Sequence, residues 1–379
     1  MDANFTDAWN SKGLALEDLG EYNESVIAYN KAIELDPEYK YAWCNKGDAL
    51  RELGRYNESI EAYEKAIDLD PDYIYAWNNK GWALEDLGEY NESIISYNKA
   101  IDLDPEYKYA WSNKGDALRE LGRYNESLEA YEKALDLDPD YVYAWNGKGL
   151  ALEGLGEYNE SIIAFEKAIE LDQEYIHAWS NKGDALRELG RYNESLEAIE
   201  KALDLDPKYV YGWDAKGNVL FDLNKYYESI DAYEKAIELD PEYKYGWGNK
   251  GDALQELGRY NEAVEAYEKA LELDLDSFYT WNNKAWTLYL MGRYNESLNC
   301  AERAIQLDPG IATFWDTKGA ALAGLGSYKE AIQCYDKAIE LDRSEGAAWY
   351  HKAESLEALG RGAEAEMHFD KARKLGYEE

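Results

Sequence analysis

Tryptophan returns in this chain at one fixed interval. Trp9, Trp43, Trp77, Trp111, Trp145, Trp179, Trp213, Trp247, Trp281, Trp315 and Trp349 are each 34 residues from the next. A period of that length signals one supersecondary unit copied in tandem. With Trp as its fourth residue, the unit begins at residues 6, 40, 74, 108, 142, 176, 210, 244, 278, 312 and 346. This register divides the chain into an N-terminal arm (1–5), ten repeats over 6–345, and an eleventh over 346–379.

Each unit carries two helical stripes. In the second, Ala42, Lys46, Ala49 and Leu50 fall at helical spacing around Trp43, and Gly54 stops that helix. Ile60, Tyr63, Ile67 and Leu69 then mark one side of a second helix, and Pro71 closes the unit. Ordering such a unit costs roughly 50 kcal/mol at about 1.5 kcal/mol per residue. Offsetting that takes on the order of 2,000 Å² of apolar burial, more than one hairpin has. The copies must therefore stack on their neighbours, which predicts an all-α solenoid.

The consensus resembles the tetratricopeptide repeat. In one unit it is carried by Trp43, Gly47, Leu50, Gly54, Tyr56, Ser59, Tyr63, Ala66 and Pro71. The resemblance implies a right-handed superhelical α-solenoid whose first helices line a concave, peptide-holding surface. Two departures stand out. Ser replaces the family's Ala at position 20 in most units, and Lys occupies the usually apolar position 7 throughout, from Lys12 to Lys352. Those lysines are expected to lay their stems on the core and lift the ammonium to solvent. Gln173, Leu275 and Arg343 replace the closing proline, which predicts less sharply defined turns there.

The first six repeats alternate, so their true unit is a pair. Position 12 runs Glu17, Arg51, Glu85, Arg119, Glu153, Arg187, and position 16 runs Glu21, Arg55, Glu89, Arg123, Glu157, Arg191. Opposite signs on stacked helices about 10 Å apart predict charge ladders that fix register. In the last repeat Glu366 and Arg373 replace apolar residues, as a terminal capping repeat requires.

Charge and chemistry narrow the function. A net charge of -38 repels phosphate backbones, which argues against nucleic acid and anionic membranes as partners. The N-terminus lacks the basic and apolar regions of a signal peptide, and Cys44, Cys300 and Cys334 form no disulfide framework, so a reducing, cytoplasmic setting is expected. His177, His351 and His368 sit beside no nucleophile, and Asp68-Leu69-Asp70-Pro71-Asp72 lacks the glycine and distal Glu of a calcium loop. No enzyme, cofactor or metal site is expected. Seven Asn-Glu-Ser triplets (at Asn23, Asn57, Asn91, Asn125, Asn159, Asn193 and Asn295) open the second helices, where Asn and Ser are expected to cap orphan amides.

What the family resemblance implies for the groove is specific. Position 2 supplies Tyr41, Tyr75, Tyr109, Tyr143, Tyr211, Tyr245 and Tyr279, and position 6 supplies Asn45, Asn79, Asn113, Asn181, Asn249 and Asn283. Amide side chains both donate and accept, so an Asn ladder suits the backbone of an extended peptide. Position 9 adds Asp48, Trp82, Asp116, Asp184 and Asp252, with acids at position 13 such as Glu52, Asp86, Glu120, Glu188 and Glu256. An acidic face with apolar sockets predicts a basic, or mixed basic and apolar, polypeptide ligand. Two alternatives remain: a self-associating scaffold, and a substrate-binding arm of a larger enzyme such as a peptide O-glycosyltransferase.

Overall fold

The computed structural model describes residues 3–377, and there every regular element is an α-helix. The chain forms two compact units, residues 1–198 and 199–379, each taken by itself below. The first unit alternates first helices α1 (Ala3–Asp18), α3 (Lys40–Glu52), α5 (Ile74–Asp86), α7 (Lys108–Glu120), α9 (Val142–Gly154) and α11 (Ile176–Glu188) with second helices. Those second helices are α2 (Tyr22–Leu35), α4 (Tyr56–Leu69), α6 (Tyr90–Leu103), α8 (Tyr124–Leu137) and α10 (Tyr158–Leu171). Helix α12 (Tyr192–Leu205) contains the boundary. The second unit has first helices α13 (Val210–Asp222), α15 (Lys244–Glu256), α17 (Phe278–Leu290), α19 (Ala312–Gly324) and α21 (Gly346–Ala358). Their partners are α14 (Tyr226–Leu239), α16 (Tyr260–Leu273), α18 (Tyr294–Leu307), α20 (Tyr328–Leu341) and α22 (Gly362–Lys374). Residues 3–5, expected in the arm, belong to α1, because no breaker precedes Phe5-Thr6.

Each hairpin turns through a Schellman closure. Gly54, at φ 70°, donates its amide to Arg51 O, and the Arg55 amide reaches back to Leu50 O at 2.9 Å. Asn224 holds the same left-handed position at φ 58°, which Asn tolerates. Within the hairpin, Tyr63 is fully buried against Gly47; a Cβ there would lie 2.5 Å from Tyr63 Cε1. The ninth repeat solves this contact differently, with Ala285 facing Ala301 at the two positions, both fully buried.

The periodic tryptophan locks one hairpin to the next. Trp43 Nε1 donates to Pro37 O at 3.0 Å and Trp77 Nε1 to Pro71 O at 2.9 Å. The turns lacking proline are braced equally: Trp179 to Gln173 O at 3.0 Å, Trp281 to Leu275 O at 2.9 Å and Trp349 to Arg343 O at 3.2 Å. The looser turns expected there are not observed, because the acceptor is a backbone carbonyl that any residue supplies.

Three further expectations give way. The Asn-Glu-Ser triplets do not cap: Asn57 is already inside α4, Arg55 is the cap residue, and no cap side chain bonds the helix. Instead the Ser59 hydroxyl donates to Gly47 O at 2.7 Å, tying the two helices together. At position 16 the charge ladder is replaced by local pairs, because a partner three residues along the chain is nearer than one a repeat away. Arg55, Arg123 and Arg191 pair with Glu58, Glu126 and Glu194 at 2.5–2.6 Å. The position-7 lysines do not simply reach solvent. Lys80 Nζ sits 5.9 Å from the Trp77 ring centroid and 2.7 Å from Glu64 of the preceding repeat. On α22, Arg373 and Glu366 pair at 2.8 Å, so the polar face of the last repeat satisfies itself.

Candidate interaction surface

Within each unit the first helices of successive repeats approach one another closely, whereas second helices of successive repeats do not. The stack therefore bends toward the first-helix side, and that side is concave. It gathers the residues expected from the sequence. Tyr41, Tyr75, Tyr109 and Tyr143 in the first unit, and Tyr211, Tyr245 and Tyr279 in the second, are 45–61% exposed. In the second unit Tyr245, Asn249, Asp252, Tyr279 and Asn283 line one cavity of about 190 Å³.

The tyrosines do not stand alone. Tyr39, Tyr73, Tyr107, Tyr141 and Tyr175 interleave with them edge to face, giving an unbroken aromatic run from Tyr39 to His177 with centroids 5.4–6.0 Å apart. A second run joins Tyr209, Tyr211, Tyr243 and Tyr245. Each such contact adds about 0.5–1.5 kcal/mol beyond the area it buries. This partner set was not expected from the sequence, although a Tyr-x-Tyr doublet at six of the repeat boundaries was its signal.

The asparagines work between repeats. Asn45 Nδ2 donates to Asn10 Oδ1, Asn113 to Asn78, and Asn181 to Asn146, at 2.9–3.1 Å. Asn79 donates to Asp48 Oδ1, Asn283 to Asp252 Oδ1, and Asn249 to Asp214 Oδ1, at 2.9–3.0 Å. Each of these bonds uses an amide N–H to brace the stack.

Position 9 is also more structural than expected. The Tyr63, Tyr131 and Tyr267 hydroxyls donate to Asp48, Asp116 and Asp252 at 2.6–2.7 Å. Burial lifts Asp48 and Asp252 to about 6 and raises Asp116 as well. Asp184 is likewise half-buried. The exposed acids are those of position 13: Glu52, Asp86, Glu120, Glu188 and Glu256. Trp82, expected as an open socket, is 46% exposed and carries the Arg51 guanidinium on its ring, 3.8 Å from the centroid. Arg51 also pairs with Glu52 and reaches Asp86 at 3.4 Å. A position-12 side chain thus arches onto the concave face, which its helical register did not announce.

Behind this face lie partly buried carboxyls whose pKa values are raised. Glu85 and Glu153 are pushed up to about 8 and Glu17 to about 7, chiefly by burial and then by the charges of Asp116, Asp184 and Asp48. Cys44, Cys300 and Cys334 are free and buried. Among the described residues no group of three His, Cys, Asp or Glu could hold a metal ion, and no helix is long and apolar enough to cross a membrane.

Hairpins stacked to expose a concave row of first helices define a helical-repeat interaction scaffold. The sequence profile of the tetratricopeptide repeat matches residues 6–39, 74–107, 142–175, 177–209, 245–276 and 278–311, more than half of the chain. Related profiles match 47–88, 115–156 and 217–258, then 28–61 and 96–129, and finally 317–376. The chain belongs to the tetratricopeptide repeat family. Among solved structures it is similar to yeast Tom70, at 16% identity and a TM-score of 0.50, covering 99% of this chain and 93% of that one. It is similar to Cut9-Hcn1 of the APC/C at 12% identity and TM-score 0.57, covering 100% and 94%. A tetratricopeptide repeat protein of Parabacteroides merdae matches at 17% identity and TM-score 0.57, covering 66% and 99%. At these identities the likeness concerns the fold. No curated protein sequence matches.

Proposed function

We propose that the concave first-helix face holds an extended polypeptide rich in Lys or Arg, with apolar residues between the charges. The observation that carries this reading is the seat of Arg51. The chain places one of its own guanidinium groups on an exposed indole between two position-13 acids. A cation over an aromatic face contributes about 0.5–1 kcal/mol when exposed and about 2 when desolvated. The exposed acids and tyrosines repeat that chemistry along the face, and the charge of -38 adds attraction at long range. A second copy of the chain, equally acidic, is repelled by the same field.

Fluorescence anisotropy with a labelled 20-residue peptide alternating Lys or Arg with Leu tests this. Binding is expected at 20 mM salt and should weaken at least tenfold at 300 mM, with a Glu-for-Lys peptide inert. Equal binding of both peptides would refute the reading.

A further inference from the structure

Where position 5 of a first helix is Asn or Asp, position 6 of the next first helix bonds it, and one junction departs from this. The acceptor is position 5 of one first helix and the donor is position 6 of the next: Asn45 on Asn10, Asn113 on Asn78, Asn181 on Asn146, Asn249 on Asp214. At the last junction His351 takes the donor's place and bonds Asp316 through Nδ1 at 3.0 Å. Between the ninth and tenth repeats the donor is replaced by Thr317. The acceptor it should serve, Asn282 Oδ1, is left without a hydrogen-bond partner, on a side chain only 7% exposed. An unmade hydrogen bond at a buried carbonyl costs about 1–3 kcal/mol.

The same stretch ends the aromatic run. Thr313 and Ala347 stand at position 2, where seven of the nine earlier repeats carry Tyr, and Glu345 stands where Tyr39 and its equivalents stand. Loss of those rings opens a cavity of about 290 Å³ lined by Asn282, Trp286, Asp316, Thr317, Glu345 and His351, among others. No Lys or Arg lines it. His351 is the one basic group against two carboxylates, and it is already engaged with Asp316. The hollow thus combines an excess carboxylate, an aromatic wall and an orphan carbonyl.

We propose that this cavity is a socket for one cationic side chain, an arginine or lysine of the bound polypeptide. A guest nitrogen would donate to Asn282 Oδ1 and pair with Glu345 while its apolar stem lies on Trp286. This rests on the concave face as the polypeptide-binding surface, and it fixes where along that face a single basic residue is read. Earlier repeats carry no equivalent orphan among their position-5 acceptors that face a position-6 amide.

The test uses the full chain at 20 mM salt with N-acetyl-arginine amide, N-acetyl-lysine amide and, as an uncharged isostere, N-acetyl-citrulline amide. The readout is the Trp286 indole N–H resonance, assigned with Trp286→Phe, together with calorimetry. Either cationic amide should shift that resonance saturably, and which one does so identifies the guest. Citrulline should bind at least tenfold more weakly. Glu345→Gln should weaken binding about tenfold. Thr317→Asn should do the same while keeping or raising the melting temperature, since it restores the missing donor with the residue the array uses elsewhere. Equal binding of citrulline, or cation binding unchanged in both variants, would overturn the socket. The long basic peptide separates the two ideas. If it binds the wild type and both variants equally and the amides do not bind, the socket falls and the groove stands. If the amides bind and the long peptide does not, the groove reading falls and the socket stands.

Discussion

Replacing Glu85 with Gln should stabilise the third repeat, by an amount that grows as pH rises from about 4.5 to about 8. Glu85 is half-buried, and burial together with Asp116, opposed by the Tyr97 hydroxyl, pushes its pKa from 4.5 to about 8. The folded state therefore keeps a proton that the unfolded chain releases above pH 4.5. Stability is present in full at low pH and is lost as pH rises through that window. Each pH unit costs 1.36 kcal/mol, so three units, to pH 7.5, amount to at most about 4 kcal/mol. Solvent reaching a half-exposed group reduces this to roughly 2 kcal/mol. Gln is neutral throughout and nearly isosteric. Glu85→Gln should match the wild type at pH 5 and exceed it by roughly 2 kcal/mol at pH 7.5. Native-state hydrogen exchange on α5 and α6 reads the opening free energy locally, which suits an array whose repeats need not unfold together. Comparing both proteins at the same pH cancels the intrinsic exchange chemistry. A difference that does not change between pH 5 and 7.5, or a loss of stability at 7.5, would refute the reasoning.

The packing of Tyr63 on Gly47 predicts a coupled pair. Gly47→Ala should cost about 1–3 kcal/mol by forcing the ring aside, yet should be close to neutral in a Tyr63→Ala background. The ninth repeat already carries that Ala–Ala pair, and urea unfolding of the four-protein cycle gives the coupling; simple additivity would contradict it. Burial holds the Cys44, Cys300 and Cys334 thiols above their usual pKa, so all three should resist a thiol-disulfide reagent at pH 8 until denaturant is added. Rapid labelling of the native protein would show that these sites open.

The hairpin, its turn and its stacking were legible because each depends on a residue type that one local geometry demands. Gly54 is needed at positive φ, Gly47 beneath a tyrosine, and Trp43 where an indole N–H meets a carbonyl. The surface was read less well, because a one-dimensional pattern names a face but not the partner across a repeat boundary. Asn45 and Asp48 lie on the expected face, yet their polar atoms meet Asn10, Tyr63 and Asn79. Arg51 was placed by its register beside Glu85, but its guanidinium meets Trp82, Asp86 and Glu52 instead. Pro71 shows the converse: its ring mattered less than its carbonyl, which Gln173 and Leu275 supply equally.

A crystal structure of the chain with the Lys/Arg-Leu peptide at saturating concentration tests the central claim most directly. An extended backbone is expected to cross the first helices, with its cations between the position-13 acids and the ring faces of the Tyr run. Peptide density on the second helices, or an empty first-helix face at saturation, would contradict it.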